Sequence, residues 1–395
     1  MPGISSNNEQ IERSHIVRVN YIAQYVNVKC DAGRYTFSPG GVAKMDYFLY
    51  CLQQLGIETK VWSYCLAKEG VSRSRRSVTT YGQPLKYAFT FKPGIKGLTQ
   101  LFLFILQVQL IFRLLFAKNN EVFFIYHERF YASVIKRVKR IRKLRIVIDI
   151  EEIYSIHAQL SQNKIRSEIN YLEGFDRYTL ANENLANELK LKAGDYVICN
   201  GVYAPILCHK ELSKKDIFEV LYAGTFDKNK GGALAAIKAF ELLDDKFRLY
   251  VCGFGSEAEI NEVKNTIASI NNIKGYQAIV YEGFIANSSR QYADLLERVC
   301  IGLSTQNNTG KYNATSFPSK IFEYLRHGIK VVSTRIPGSE NLPISKYLTF
   351  IETNTADNIA KGVRHAAVAD CSRECEALSE MHIDFINRFN KLLNA

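Results

Sequence analysis

Residues Phe218–Gly232 read FEVLYAGTFDKNKGG. The run from Phe218 to Gly224 (FEVLYAG) is short and rich in apolar and strand-forming residues, so it predicts a buried strand. A polar turn follows. Beyond Gly231-Gly232, the spacing of Leu234, Ile237, Phe240 and Leu243 marks one face of a helix. The next strand is Phe247–Gly253 (FRLYVCG), and Ser256 with Glu259 forms a capping-box signature that opens another helix. Ile279–Gly283, Cys300–Ser304, Lys330–Thr334 and Tyr347–Glu352 continue the strand series. Strands alternating with helices predict a parallel sheet covered on both faces.

The first half repeats this rhythm more loosely. Strands are expected at Ile16–Ile22, Glu58–Cys65, Glu121–His127, Arg145–Ile150 and Tyr196–Cys199. Periodicity is lost over Pro205–Asp216 (PILCHKELSKKD), which reads as a connection. The expected fold class is therefore α/β, with two Rossmann-like domains, 1–204 and 205–395, facing each other across a cleft. The C-terminal helix is free to pack back on the first domain. In such folds ligands sit at the carboxyl ends of the strands.

The 395 residues suffice for two cores, and 47% hydrophobic with 23% charged residues excludes a disordered chain. The net charge of +12 points to an anionic partner. No nucleic-acid motif is present, and the aromatics are not interleaved with basic runs, so nucleic acid is not the expected partner. The 9 cysteines show no CxxC pairs. That argues against a disulfide framework or a zinc site and fits a reducing, cytoplasmic setting. The polar N-terminus MPGISSNNEQ lacks a signal-peptide core.

Three constellations carry chemistry. The turn Gly224–Gly232 leaves a strand and enters a helix, where glycines admit close backbone approach and Lys228 and Lys230 bring positive charge. The segment Ser316–Gly328 (SFPSKIFEYLRHG) suits a helix with Pro318 in its first turn and Gly328 at its stop. There Lys320 opposes the helix dipole, which makes sense if it faces an anion. Glu323 offers two acceptors for adjacent hydroxyls. A mutual Lys320–Glu323 pair at i,i+3 is the alternative. Third, Gly40 and Gly41 precede a helix whose apolar face includes Val42, Met45, Leu49 and Leu52.

In this order these segments resemble the GT-B glycosyltransferases, specifically glycosyltransferase family 4. Gly40-Gly41 match the glycine pair of its first domain. Gly224, Lys230 and Gly231 match its G-R-L-x-x-x-K-G segment, with Thr225 at the arginine position. Phe317 and Glu323 match its E-x-F-G-x-x-x-x-E segment, with Thr315 and Pro318 replacing the first glutamate and the glycine. Gly283-Phe284-Ile285 resembles the loop near the nucleotide base. The resemblance implies transfer from a nucleotide-diphosphate sugar, UDP- or GDP-linked, with retention, without a metal and without a further cofactor. It implies a diphosphate held by Lys230 and by residues around Pro318, Ser319 and Lys320, and a ribose held by Glu323. Lys228 or Lys320 would stand in for the missing arginine. A GT-B epimerase and an inactive membrane-bound scaffold remain as alternatives. The histidine that the family places at a first-domain strand end is absent from Ile148–Glu152; His127-Glu128-Arg129, at the end of another strand, is a nearby candidate, and Glu151, Glu152 and Glu128 are the expected first-domain polar contacts. Asp149-Ile-Glu151 also reads as a DxD-like metal motif of the unrelated GT-A fold.

Ile135–Arg145 reads IKRVKRIRKLR. Ile135, Val138, Ile141 and Leu144 form an apolar stripe amid Lys136, Arg137, Lys139, Arg140, Arg142 and Lys143, the pattern of a membrane-surface helix. Leu101–Phe116 (LFLFILQVQLIFRLLF) is too short and too polar to span a bilayer. It reads either as a docking face or as a buried helix. Together these segments suggest peripheral association with the inner face of a membrane and a lipid-linked or glycan acceptor.

Overall fold

A computed structural model of the chain describes residues 18–68, 70–72, 74–91, 98–118, 121–158, 160–207, 217–227, 232–287, 289–308, 313, 317–369 and 373–395. The chain divides into two compact units: Met1–Asn200 with Ile383–Ala395, and Gly201–His382.

Unit 1 runs β1 (Arg18–Ala23), α1 (Val28–Asp31), α2 (Pro39–Gln54), β2 (Glu58–Ser63), β3 (Val71–Ser72), β4 (Arg75–Val78), β5 (Pro84–Tyr87), β6 (Thr90–Phe91) and α3 (Leu98–Leu115). It continues β7 (Val122–Tyr126), α4 (Arg129–Ile141), β8 (Arg145–Ile150), α5 (Tyr154–His157), α6 (Gln162–Leu172), β9 (Arg177–Leu180), α7 (Glu183–Glu188) and β10 (Tyr196–Ile198). Its sheet has the order β10-β9-β8-β7-β1-β2-β5-β4. Every pair is parallel except β4 with β5.

Unit 2 runs β11 (Phe218–Thr225), α8 (Ala233–Ala239), β12 (Phe247–Phe254), α9 (Glu257–Lys274), β13 (Ile279–Gly283), α10 (Arg290–Arg298), β14 (Ile301–Ser304), α11 (Lys320–Arg326), β15 (Lys330–Thr334), β16 (Leu348–Ile351) and α12 (Ala356–Val368). The six parallel strands take the order β13-β12-β11-β14-β15-β16. A last helix, α13 (Glu374–Asn394), begins in unit 2, and its residues from Ile383 belong to unit 1.

The local chemistry accounts for these elements. The capping box forms in full: Glu259 N–H donates to Ser256 Oγ at 3.4 Å, and Ser256 N–H donates to Glu259 Oε2 at 2.7 Å. Strand interiors are buried on both faces, as in β14 and β15, because helices cover the sheet. In unit 1, Phe385 and Phe389 of α13 complete an aromatic cluster, with rings 5.7 Å from Tyr47 and 5.5 Å from Phe124 respectively. Among the described residues six cysteines are free thiols, whereas Cys375 is disulfide-bonded, against the expectation of no disulfides.

Two sequence expectations change. The apolar stripe of α4 faces the protein: Ile135 and Val138 are buried. Lys139 is tied to Asp176 at 2.6 Å, Lys136 to the Asn170 carbonyl and Arg142 to the Leu115 carbonyl. The helix stops at Ile141, so Leu144 lies beyond it. Of the run, Arg137, Arg140, Lys143 and Arg145 stand exposed, and so does Ile141 of the stripe itself. Helix α3 is buried along Phe102, Leu106, Leu110 and Leu114 yet exposes Leu101, Phe104 and Phe112, with Phe116 exposed just past its end, so each reading of that stretch describes one of its faces. Among the described residues no helix is long and apolar enough to cross a membrane.

Candidate functional site

In an open parallel sheet the strands flanking the point where the order reverses splay at their carboxyl ends, and ligands bind there. In unit 2 that point lies between β11 and β14. Gly232 sits against it: a Cβ there would lie 1.8 Å from the Thr305 carbonyl oxygen, so only glycine fits. Gly224, at the end of β11, leaves room for Lys320, whose Nζ would be 2.7 Å from a Cβ on that glycine. The Lys320 ammonium donates to the Ala223 carbonyl at 2.6 Å and lies 5.2 Å from the centre of the Tyr222 ring.

Lys320 and Glu323 form no ion pair, which removes the i,i+3 alternative. Glu323 instead accepts from the Tyr292 hydroxyl at 2.9 Å. Burial pulls the Lys320 ammonium down to about 8, an effect only partly opposed by Glu323. Burial likewise raises the Glu323 carboxyl, against the Tyr292 hydrogen bond and the charges of Arg326 and Lys320. Among the described residues the site therefore carries a desolvated cation without a carboxylate partner, beside an enclosed acceptor. That arrangement suits an anion, and specifically one with hydroxyls nearby.

Around this pair, Phe284 and Phe254 are both exposed, with ring centres 6.3 Å apart, at the ends of β13 and β12. Ile285 is buried and anchors the loop. The Thr225 hydroxyl accepts from Asp227 N–H at 3.2 Å inside the turn. Helix α11 starts at Lys320 with Ser319 as its cap residue, so Pro318 lies just before the helix rather than in its first turn. Phe317 packs on Phe322 at 5.4 Å. Lys228, Lys230 and Thr315 lie outside the described residues.

In unit 1 the order reverses between β1 and β7. Gly40 and Gly41 fall inside the first turn of α2, not before it, with Ser38 capping through Gly41 N–H at 3.3 Å. A Cβ on Gly41 would lie 2.9 Å from the hydroxyl of Tyr126, the last residue of β7. One turn further, the buried Lys44 ammonium lies 3.3 Å from Asp149 and 3.6 Å from Glu151. Burial opposes its charge, but the two carboxylates outweigh that and hold its pKa above the ordinary lysine value. An ammonium thus occupies the place a cation would take in a DxD-like motif, and the metal reading of Asp149-Ile-Glu151 does not fit. Asp149 also accepts from Thr179 Oγ1 at 2.6 Å. Among the described residues no other His, Cys, Asp and Glu cluster could hold a metal.

His127 is a core residue, stacked on Tyr154 at 4.7 Å with Nε2 3.6 Å from Glu168. Glu168 also takes the backbone N–H groups of Tyr154 and Ser155 at 3.1 and 2.8 Å. Glu128 follows His127 and is partly exposed, as are Glu151 and Glu152. Sequence reading missed Lys44, Tyr126, Glu168 and Tyr292.

Residues 217–367 match the family model of glycosyl transferases group 1. The matched segment resembles a glycosyltransferase group 1 domain. It coincides with the sheet that carries Lys320 and Glu323. No curated protein matches the chain. Among solved structures, a sucrose-phosphate synthase from Thermosynechococcus elongatus is similar at 14% identity and TM-score 0.61, covering 94% of each chain. A UDP-forming α,α-trehalose-phosphate synthase from Burkholderia xenovorans, in complex with glucose-6-phosphate, aligns at 11% identity and TM-score 0.63 over 94% of this chain and 97% of that one. A trehalose-6-phosphate synthase studied for glycosyltransfer with retention aligns at 12% and 0.63 over the same shares. At such identities the likeness establishes the fold, which is GT-B with two Rossmann-like units.

Proposed function

We propose that the chain transfers a sugar from a nucleotide-diphosphate donor, UDP- or GDP-linked, to an acceptor, with retention and without a metal. The observation that carries the reading is Lys320, a desolvated ammonium that donates to the Ala223 carbonyl near the end of β11, within the segment that matches the group 1 family model. A diphosphate placed there would gain a charge-assisted bond in a low-dielectric site, and the same cation would stabilise the charge that develops on the leaving diphosphate. Glu323, oriented by Tyr292, would accept from the ribose hydroxyls, and the exposed Phe254 and Phe284 would face the base. Lys228 and Lys230 would complete the phosphate contacts, with Thr315 near the donor sugar. In the first domain, Gly40, Gly41, Glu151 and Glu128 are the proposed contacts to sugar or acceptor.

The acceptor class proposed is lipid-linked or glycan, met by a cytoplasmic protein resting on the inner face of a membrane. Support for this part is the exposed apolar face of α3 with the exposed Arg137, Arg140 and Lys143. One solved structure of similar fold named above is a complex with glucose-6-phosphate, which is neither lipid-linked nor a glycan.

The test is thermal shift against UDP, GDP, dTDP, ADP and CMP, with and without EDTA. A ligand that binds only the folded state raises stability by mass action. Stabilisation by UDP or GDP that EDTA leaves unchanged is expected. A shift that EDTA abolishes would remove the metal-free reading, and no shift with any nucleotide would remove the donor reading.

A further inference from the structure

Unit 1 holds a cavity of about 400 Å³ that shares no residue with the Lys44 cluster. Its lining includes Trp62, Lys86, Tyr87, Phe112, Arg113 and Phe116. Trp62 is fixed by its indole N–H, which donates to Asn20 Oδ1 at 3.2 Å. Asn20 in turn donates to Glu121 at 2.9 Å. The Arg113 guanidinium lies over the Trp62 ring, and Lys86 Nζ stands 5.4 Å from the same ring centre. Neither cation has a carboxylate partner among the described residues. Glu121, the acid whose charge reaches Arg113, is already paired with Arg18 at 3.1 Å. Two cations on one aromatic plane, with the acid beneath them neutralised, favour an anion.

The rim of this cavity is apolar. Phe112 and Phe116 are 57% and 81% exposed, with parallel rings 6.2 Å apart. The stripe continues along α3 through Phe104 and Leu101, at 61% and 51%. The opposite side of α3 already fills the core, so this second apolar face does nothing for unit 1 on its own. An exposed patch of this kind marks an interaction surface. A ligand that is anionic at one end and hydrocarbon at the other satisfies both halves.

We propose that this cavity binds the phosphate of an anionic membrane lipid while the exposed stripe of α3 rests against the acyl boundary of the same leaflet. The proposal deepens the membrane placement above by naming its site. It does not rest on turnover, so its failure leaves the transfer reading standing.

The experiment is flotation of the full chain with vesicles of phosphatidylcholine alone and of phosphatidylcholine with phosphatidylglycerol. Binding to the anionic vesicles only is expected. Lys86→Gln should weaken it roughly five-fold, as expected for one basic residue near an anionic surface. The pair Phe112→Ser and Phe116→Ser should weaken it roughly ten-fold or more through lost apolar burial. Both positions are exposed, and an unchanged circular dichroism spectrum and melting temperature verify that each variant is folded. Inorganic phosphate should compete poorly, because it lacks the chain.

Equal binding to neutral vesicles would overturn the phosphate assignment. Wild-type binding by the Lys86 and Phe112/Phe116 variants, with loss instead in Arg137→Ser/Arg140→Ser/Lys143→Ser, would move the anchor to α4 and overturn the proposal. Competition by inorganic phosphate as strong as by the lipid would make this a free-anion site. No vesicle binding, with a concentration-dependent dimer that Phe112→Ser/Phe116→Ser abolishes, would make the face an interface between copies.

Discussion

Lys320 and Glu323 stand three residues apart on one short helix and do not pair; the lysine holds the Ala223 carbonyl and the glutamate holds Tyr292. Opposite charges at that spacing on a surface helix usually associate. Their separation leaves each free for a different part of a ligand, a phosphate for one and hydroxyls for the other.

Lys320→Gln should therefore weaken nucleotide-diphosphate binding roughly ten- to hundred-fold, the worth of one charge-assisted bond in an enclosed site. Titration calorimetry with UDP and GDP on the variant measures it. Wild-type affinity would remove Lys320 from the phosphate site.

The same residue sets a pH dependence. Its pKa of about 8 in the folded protein is below the ordinary lysine value of 10.5. The unfolded chain thus binds more protons between those two values, so this group's contribution makes the nucleotide-free protein gain stability as pH rises through that window. Nucleotide affinity runs the other way, flat below about 8 and falling above it, as the ammonium that the diphosphate needs loses its proton. Lys320→Gln should flatten both profiles, followed by denaturant melts and by binding titrations from pH 7 to 10.

Tyr292→Phe removes the donor to Glu323 and leaves an enclosed carboxyl short of a partner. The expected loss is about 1–3 kcal/mol of stability, read by urea denaturation. A parallel loss of affinity for nucleotides, absent for the free diphosphate moiety, would place Glu323 at the ribose.

Lys44→Met should cost about 3–5 kcal/mol, because it strands two carboxylates that share one buried cation. Adding Asp149→Asn to that variant should restore part of the loss, and chemical denaturation of both decides it. Failure to recover would mean that Lys44 acts through its packing on Phe48 rather than through its charge.

Gly232→Ala should destabilise or unfold unit 2, since its Cβ would fall 1.8 Å from a backbone oxygen. Gly40→Ala, with nothing within 4 Å, should leave the melting temperature unchanged or raise it slightly.

The second unit was legible because its signals are local. Strand runs such as Ile279–Gly283 and Lys330–Thr334 and the Ser256–Glu259 cap are complete within a few residues, and the structure matches them. What was illegible depends on partners far apart in sequence. Nothing near Lys44 announces Asp149, and nothing near Tyr292 announces Glu323. Edge strand β4 begins Arg75-Arg76 and β9 reads RYTL, patterns too short and too polar to stand out. Of the stripe expected along α4, Ile135 and Val138 are buried, Ile141 is exposed and Leu144 lies beyond the helix; spacing alone does not say where a helix stops or whether an apolar face meets a core or a membrane.

The placement of Phe385 and Phe389 has a consequence for the order of folding. Both belong to unit 1, yet they follow all of unit 2 along the chain. During synthesis the aromatic cluster around Tyr47, Phe48 and Phe124 waits, partly bare, until residues near 389 have emerged. Unit 2 has every one of its strands in hand before that point. The half of the molecule made first is therefore the half finished last, and its exposed cluster in the interim is where nascent chains would stick to one another or need a chaperone.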